Sequence, residues 1–338
     1  MRKTSPRKPL PPYSAYRSPA WLPGGHLQTI YPLLIKPRPP AYTRERWDTP
    51  DGDFIDVDWL SAPVPITAQD PATPLVVLFH GLEGSSRSHY AVSLMRALTH
   101  LGWQGAVPHF RGCSGELNRL PRAYHSGDSA EIQWVLERFR QRYPQAPLYA
   151  VGVSLGGNAL LKWLGERGET AQALIQGAAS VCAPLDLTLC GHALARGFNR
   201  LYTANFMGTL KRRALLQAQH FPGLLDTARV KAARNLHDFD EAVTAPMHGF
   251  ANADDYWRRC SSKPWLAAIR VPTLVLNSRN DPFLPAAALP SPAQVSPQVH
   301  LELPGEGGHV GFVAGTLPGR LDWLPHRLLH FFRNEIPQ

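Results

Sequence analysis

The sequence predicts an α/β fold in which helices flank a mostly parallel central sheet and a helical cap is inserted late in the chain. Two observations predict it. Short, wholly apolar runs alternate with stretches of helical length, which is typical of a parallel sheet covered on both faces. Residues 185–264 then contain helical stretches rich in Ala, Leu and Arg but no convincing strand. The 338 residues are enough for one large α/β domain.

The first 46 residues predict a basic, proline-rich arm, followed by an α/β domain at 47–338 with its cap at about 185–264. The arm holds nine of the Lys and Arg residues against one acid, Glu45, and so carries +8 of the formal net charge of +9. The body of the protein is therefore nearly neutral, and no nucleic-acid groove is expected there. A solvated basic arm is favoured over contact with a membrane surface or an acidic partner.

The predicted elements follow in order along the chain. An Asp51-Gly52 turn signal between alternating residues at 44–60 predicts a β-hairpin. Apolar runs predict further strands at 75–79, 105–109, 148–153, 272–277 and 299–303. Helices are predicted at 89–101, 126–143, 156–166 and 324–332.

Cysteine usage and the first residues indicate a soluble, cytoplasmic protein. The four cysteines show neither a Cys-x-x-Cys metal pair nor a disulfide framework, so buried free thiols are expected. The first twenty residues hold five prolines and no apolar run long enough for a secretory signal or a spanning helix. No metal or organic cofactor is expected, and the oligomeric state is left open.

A Gly-x-Ser-x-Gly motif is the strongest chemical signal in the sequence. It runs from Gly152 to Gly156, directly after an apolar strand and before a predicted helix. A sharp strand-to-helix turn forces its serine into a strained conformation and leaves room only for glycine two residues to either side. Ser154 is therefore the predicted nucleophile, with a chance Gly/Ser turn as the alternative.

A serine hydroxyl needs a base to accept its proton and an acid to orient that base. In this kind of fold the acid and then the histidine follow the serine, each after a strand. Asp281 and His309 follow the last two predicted strands in that order. The weaker alternatives are Asp186, Asp254 and Asp255 for the acid, and His326 and His330 for the base.

An oxyanion in acyl transfer needs two backbone donors. Leu155 comes directly after the nucleophile, and Leu82 follows the His80-Gly81 pair that ends a strand. Their amides are the predicted oxyanion hole. For Leu82 the alternative is an ordinary strand exit.

These motifs make the sequence resemble the YheT-like esterases, family 4 of the AB hydrolases, within the α/β-hydrolase superfamily. The likeness covers nearly the whole chain after residue 18. Matching stretches are 25–29, 49–53, 58–59, 80–85, 110–115, 124–127, 239–240, 249–250, 281–283 and 308–312. The resemblance implies an α/β-hydrolase fold and a carboxylic-ester hydrolase with Ser154, Asp281 and His309 as its triad. Asn280 departs from the pattern, since relatives often have a second aspartate there.

The predicted activity is serine-dependent hydrolysis of a small acyl ester, of short to medium chain or lipid-like, through an acyl-enzyme. Within enzymes, a lipase or an acyltransferase remains open. The alternative from another class is a noncatalytic hydrolase fold that acts as a ligand sensor or interaction module. Four cap residues could line an acyl pocket, although simple packing is favoured for them: Phe198, Tyr202, Phe206 and Met207.

Overall fold

An eight-stranded sheet forms the centre of the structure, a computed structural model that describes residues 14–35, 37–61 and 72–336. Its strands are β1 (Tyr42–Asp48), β2 (Phe54–Leu60), β3 (Leu75–Phe79), β4 (Gln104–Pro108), β5 (Leu148–Val153), β6 (Gly177–Val181), β7 (Thr273–Leu276) and β8 (Val299–Glu302). Their order across the sheet is β1-β2-β4-β3-β5-β6-β7-β8. The strands from β4 to β8 run parallel, so the predicted mostly parallel sheet is confirmed.

Eleven α-helices lie among the described residues. They are α1 (Gly25–Ile30), α2 (His89–Leu101), α3 (Ser129–Arg142), α4 (Leu155–Arg167), α5 (Leu187–Leu194), α6 (Asn199–His220), α7 (Thr227–Ala232), α8 (Leu236–Phe239), α9 (Ala245–His248), α10 (Ala253–Cys260) and α11 (Trp323–His330). Helix α3 begins later along the chain than the predicted start at residue 126. The Asp128 side chain accepts a hydrogen bond from the Glu131 amide and caps the helix, so α3 begins at Ser129.

The two faces of the sheet carry separate hydrophobic cores. Alternate residues of β3 explain this, because Val77 packs in one core and Val76 in the other. Helices α3 and α4 cover the first face, where Phe139 and Trp163 are fully buried. Helices α2 and α11 cover the second. Burial on both faces is the reason that a central parallel strand such as β3 is apolar throughout.

The hairpin β1–β2 adds an antiparallel start to the sheet, as predicted. Thr49 and Asp53 pair across its turn, where Gly52 adopts a positive φ of 86°. The sequence boundary at residue 46 falls inside β1, which begins at Tyr42. Residues 42–46 form a ladder with β2 and so lie in the sheet, where the predicted hairpin at 44–60 already included residues 44–46.

Residues 14–35 of the arm lie against the loop that follows β8. The Tyr16 hydroxyl donates to the Val313 carbonyl, and the Trp21 indole donates to the Gly315 carbonyl. Helix α1 belongs to this segment. The first 13 residues of the arm, which hold four of its basic residues, lie outside the described residues.

Residues 185–264 form the predicted helical insertion between β6 and β7, with helices α5 to α10 and no strand. The insertion has a small hydrophobic core of its own around Met207, Val230 and Val243. The structure describes all of these residues. The insertion covers the carboxyl ends of the parallel strands, and residues of α5, α6 and α8 line a cavity there.

All four cysteines are free thiols, and three of them are buried. Burial raises the pKa of Cys113 to about 11 and that of Cys260 to about 12, so both thiols are protonated at neutral pH. Within the described ranges, no helix has the length and apolar character needed to cross a bilayer.

Candidate active site

Ser154 occupies a strained turn between β5 and α4. Its φ of 52° and ψ of −119° are unfavourable for a side chain other than glycine. Glycine is required two residues before and two residues after it, as predicted, because a side chain at either position would collide with backbone atoms. A Cβ on Gly152 would lie 2.5 Å from the Gly156 carbonyl oxygen, and a Cβ on Gly156 would lie 2.4 Å from that of Phe79. The turn therefore presents Ser154 at the carboxyl edge of the sheet.

The structure brings Ser154, His309 and Asp281 together in one hydrogen-bonded chain. His309 Nε2 lies 3.0 Å from Ser154 Oγ, and His309 Nδ1 lies 2.8 Å from Asp281 Oδ2. The Asp281 carboxylate can only accept, so Nδ1 carries the proton and Nε2 is free to accept one from the serine. This is the tautomer that a general base requires.

Asp281 is held by its own loop after β7. Its side chain is fully buried, and its second oxygen, Oδ1, accepts from the Phe283 amide. The Phe283 ring packs on the His309 imidazole with 4.2 Å between the ring centres. Both oxygens of the carboxylate are thus occupied, and the imidazole is held on one face.

Two residues that line the same cavity have unpaired backbone amides in the described structure. Among the described residues, neither the Leu82 nor the Leu155 amide has a hydrogen-bond partner, and both residues line the cavity beside Ser154. The neighbouring amides of Gly81 and Glu83 are different, since the hydroxyls of Tyr90 and Tyr124 accept from them. In the turn after β3, the amides on either side of Leu82 therefore donate to tyrosine hydroxyls, and the Leu82 amide between them is left free.

His80 fixes that turn, and sequence reasoning did not assign it a role. It is fully buried, its Nδ1 donates to the Gly81 carbonyl, and its Nε2 accepts from the Phe110 amide. Burial lowers its pKa to about 3, so the imidazole is neutral. The signal in the sequence was the His80-Gly81 pair itself, but its partner Phe110 is distant along the chain.

An apolar cavity opens above Ser154 under the cap. Its volume is about 150 Å³, and its walls are mostly aliphatic and aromatic side chains. Of the four cap residues considered from sequence, Phe206 lines this cavity, whereas Met207 is buried in the core of the cap. Tyr202 lines a neighbouring cleft that also reaches Ser154, and Phe198 is half exposed beside His26.

An ion pair joins the cap to the turn after β3. Arg213 of α6 lies 3.1 Å from the carboxylate of Glu83. The Tyr124 hydroxyl also donates to that carboxylate, and Arg213 contacts the Cys113 sulfur. Two charged residues of the cavity wall, Arg213 and Glu83, are thus paired at the turn that carries the Leu82 amide.

The weaker sequence candidates for the acid and the base make other contacts. Asp186 caps the start of α5, Asp255 pairs with arginines of α10, and Asp254 contacts His237 on the surface. His330 pairs with Glu335, and His326 lies in α11. None of these five described residues lines the cavity beside Ser154.

One set of side chains has the spacing of metal ligands, namely Cys182, Asp281 and His309, whose ligand atoms all lie within 4.8 Å of one another. The set does not suit a metal ion. Burial raises the pKa of the Cys182 thiol well above its usual range, and metal binding requires the thiolate. The Val310 amide donates to the same sulfur, which is thus engaged in holding the His309 loop.

Comparison with known proteins agrees with the fold. Residues 74–316 match the family described as alpha/beta hydrolase fold. The chain belongs to this family. This α/β-hydrolase is also 41% identical to "Putative esterase YheT" of Escherichia coli strain K12 over 307 residues, which cover 90% of this chain and 88% of that protein. The resemblance predicted from the motifs is confirmed.

A second relative and a solved structure extend the comparison. The α/β-hydrolase is 31% identical to "Phospholipase ABHD3" of Homo sapiens over 325 residues, which cover 95% of this chain and 79% of that protein. The crystallised esterase EaEST from Exiguobacterium antarcticum aligns with a TM-score of 0.54 at 15% identity, covering 86% of this chain and all of that one. This last similarity concerns the fold alone. Family and relatives together support hydrolase activity.

Proposed function

We propose that the protein is a serine-dependent carboxylic-ester hydrolase. Ser154 is the nucleophile, His309 the general base and Asp281 the acid that orients it. The observation that carries the proposal is the unbroken hydrogen-bonded chain from Ser154 Oγ to His309 to Asp281 at the floor of an apolar cavity. The names of the relatives, esterase and phospholipase, support an ester as the bond that is cleaved.

The reaction proceeds in two halves. His309 Nε2 takes the hydroxyl proton as Ser154 Oγ attacks the ester carbonyl carbon, and then gives that proton to the leaving alcohol. The acyl group remains on Ser154. Water, deprotonated by the same nitrogen, attacks this acyl-enzyme, and His309 then gives that proton to Ser154 Oγ as the carboxylic acid leaves. Asp281 stabilises the imidazolium that forms in each half.

The amides of Leu82 and Leu155 are assigned to the developing oxyanion. Both donors are free of other partners in the described structure, and Leu155 also begins α4, whose N-terminus favours negative charge. Donors fixed in advance, in a cavity with little water, stabilise the tetrahedral intermediate more than they stabilise the substrate.

The cavity supports a short- to medium-chain acyl group. An apolar protein cavity of about 150 Å³ accepts benzene, so the space above Ser154 corresponds to an acyl chain of roughly six carbons. The lining residues offer an apolar surface to such a chain. A longer chain needs to enter the neighbouring cleft, which also reaches Ser154.

The test is hydrolysis of p-nitrophenyl acetate, hexanoate and palmitate by wild type and by Ser154→Ala. We expect wild type to prefer the hexanoate, and the variant to retain only background hydrolysis. Ser129→Ala is the matched control, since it removes a serine hydroxyl on α3 that contacts Lys162 and not the cavity. Equal rates for wild type and Ser154→Ala would exclude this serine as the nucleophile.

A further inference from the structure

A glutamine of the arm lies buried between the loops that carry Asp281 and His309. Gln28 is 1% exposed, and its Oε1 accepts from the Gly307 amide at 2.9 Å and from Asn280 Nδ2 at 2.8 Å. Its Nε2 donates to Ser18 Oγ at 2.7 Å and to the Leu22 carbonyl at 2.9 Å. Rotating the amide would break the bonds to Gly307, Asn280 and Leu22, so its orientation is fixed.

Asn280 completes the connection between the two loops. It directly precedes Asp281, and its Oδ1 accepts from the Gly308 amide at 3.0 Å. Gly308 directly precedes His309. Gln28 and Asn280, here called the amide clamp, thus tie the residue before the acid to the two residues before the histidine.

Thr29, the next residue of the arm, contacts His309 itself. Its Oγ1 accepts from the His309 backbone amide at 2.9 Å and donates to the Gly25 carbonyl at 2.7 Å. Thr29 is 7% exposed, so water does not readily replace this acceptor. One turn of α1 therefore holds the backbone that carries the imidazole.

The contact is also close between the backbones. A Cβ on Gly311 would lie 2.1 Å from the Gln28 carbonyl oxygen, and a Cβ on Gly25 would lie 1.9 Å from that of Asn280. Glycine at these two positions lets arm and loops meet without intervening side chains. The backbone of the arm is therefore in direct contact with the backbone of the two loops.

We infer that the arm completes the active site, with Gln28, Asn280 and Thr29 acting as positioning residues. Beyond the ends of β7 and β8 the two loops are joined by single hydrogen bonds, such as those from the Arg279 amide to the Pro304 carbonyl and from Ser278 Oγ to the Gly308 carbonyl. The contacts of the arm add to these in fixing the relative position of the loops. A shift of about 1 Å between reacting groups can cost on the order of a hundredfold in rate. The inference rests on the proposed function, because it requires Asp281 and His309 to act on Ser154.

Thr29→Val is the most direct test, because valine keeps the shape of threonine and removes only the hydroxyl. We expect kcat for p-nitrophenyl hexanoate, and the rate of labelling of Ser154 by a fluorophosphonate, to fall by about tenfold. KM changes less than about threefold, since the acyl cavity is untouched. Thr29→Ser restores the acceptor and is expected to recover most of the lost rate.

Thr99→Val is the matched control. The Thr99 hydroxyl makes the same kind of bond within a helix, to the Met95 carbonyl, but lies on α2 with no contact to either loop. It is expected to change neither kcat nor the labelling rate. Thermal midpoints of all variants separate misplacement of His309 from general loss of stability.

A double-mutant cycle tests the amide clamp. Gln28→Ala and Asn280→Ala are each expected to lower kcat by about tenfold, and the double variant by little more than either single one, because both break the same connection. Gln133→Ala is the control. The side-chain amide of Gln133 is also hydrogen-bonded at both ends, to Glu137 and Trp163, but this residue lies on α3.

The outcomes separate the two proposals. Failure of wild type to be labelled at Ser154 overturns the proposed function and the role of the arm with it. Labelling of wild type, with equal rates in Thr29→Val, overturns the role of the arm alone. A slower Thr29→Val that Thr29→Ser does not improve also overturns it, because the missing hydroxyl is then not the cause.

Discussion

Two sides of the active site are built in different ways. Ser154 and the free amides of Leu82 and Leu155 follow directly from β3, β5 and α4, and short motifs in the sequence encode them. Asp281 and His309 lie on loops beyond β7 and β8, and an arm more than 250 residues away contacts both loops. The first side is set by local chain geometry, whereas the second depends on long-range packing.

This difference indicates where each kind of substitution acts. On the strand–helix side, neighbouring backbone atoms leave no space for an added side-chain atom. A substitution there is therefore expected to destabilise the fold for steric reasons. On the loop side, hydrogen bonds between distant segments hold the side chains, so a lost hydrogen bond changes their position. Four predictions test this contrast.

The largest effect is expected on the loop side, for Asp281→Asn. The amide can donate to His309 Nδ1 and so favours the wrong tautomer, leaving Nε2 protonated and unable to accept from Ser154. We expect kcat to fall by about 10⁴-fold, with the thermal midpoint little changed. Asp254→Asn, an exposed residue of the cap, is the control. A loss below tenfold in Asp281→Asn would indicate that the acid has no orienting role.

On the strand–helix side, Gly156→Ala is expected to act on stability. The new Cβ would lie 2.4 Å from the Phe79 carbonyl oxygen and 2.5 Å from that of His80, so backbone has to move. We expect a loss of about 2–3 kcal/mol in the free energy of unfolding, measured by urea denaturation.

Gly208→Ala supplies the contrast to that variant. Gly208 lies in α6, and outside its chain neighbours and the adjacent backbone of its own helix no atom lies within 4 Å of the added methyl group, so alanine is expected to stabilise the protein by up to about 1 kcal/mol. Equal effects of the two substitutions would contradict the steric account of the serine turn.

The cap is expected to control chain length through Phe206. Its ring lines the cavity, and Phe206→Ala enlarges it. We expect the ratio of kcat/KM for p-nitrophenyl decanoate to that for the hexanoate to rise by about tenfold. Phe198→Ala, which removes a half-exposed ring outside the cavity, is the control. An unchanged ratio in Phe206→Ala would show that the chain lies elsewhere.

The last prediction concerns His80 and pH. Its pKa is about 3 in the folded protein and 6.5 without burial, so the unfolded chain binds more protons between these values. The free energy of unfolding therefore falls as the pH drops from 6.5 towards 3. We expect the free energy of unfolding to fall more steeply with decreasing pH in wild type than in His80→Gln, by up to about 1.4 kcal/mol per pH unit. Denaturation of both proteins at pH 7, 6, 5 and 4 measures this difference. Parallel curves would contradict a buried neutral imidazole.

The sequence was informative wherever a pattern is local. The apolar runs predicted the parallel strands except β6, and the glycines around Ser154 predicted a turn in which a side chain would collide with backbone. The chain order of Asp281 and His309 was enough to select them from many acids and histidines, and the structure brings them together with Ser154. Their catalytic roles stay predictions.

The remaining features depend on contacts between distant segments. The start of β1 at Tyr42 is defined by pairing with β2, and the partner of His80 is the amide of Phe110. Asn280 looked from sequence like the loss of a neighbouring charge. In the structure it donates to Gln28, a partner 252 residues away that no local pattern indicates.

The most direct test of the account is to locate the covalent intermediate. Wild type is mixed with p-nitrophenyl hexanoate, quenched in acid within milliseconds, digested and analysed by mass spectrometry. The account predicts a hexanoyl group on the peptide that contains Ser154, and none in Ser154→Ala. Rapid turnover of the ester by wild type with the acyl group on another residue, or with the same adduct in Ser154→Ala, would contradict it.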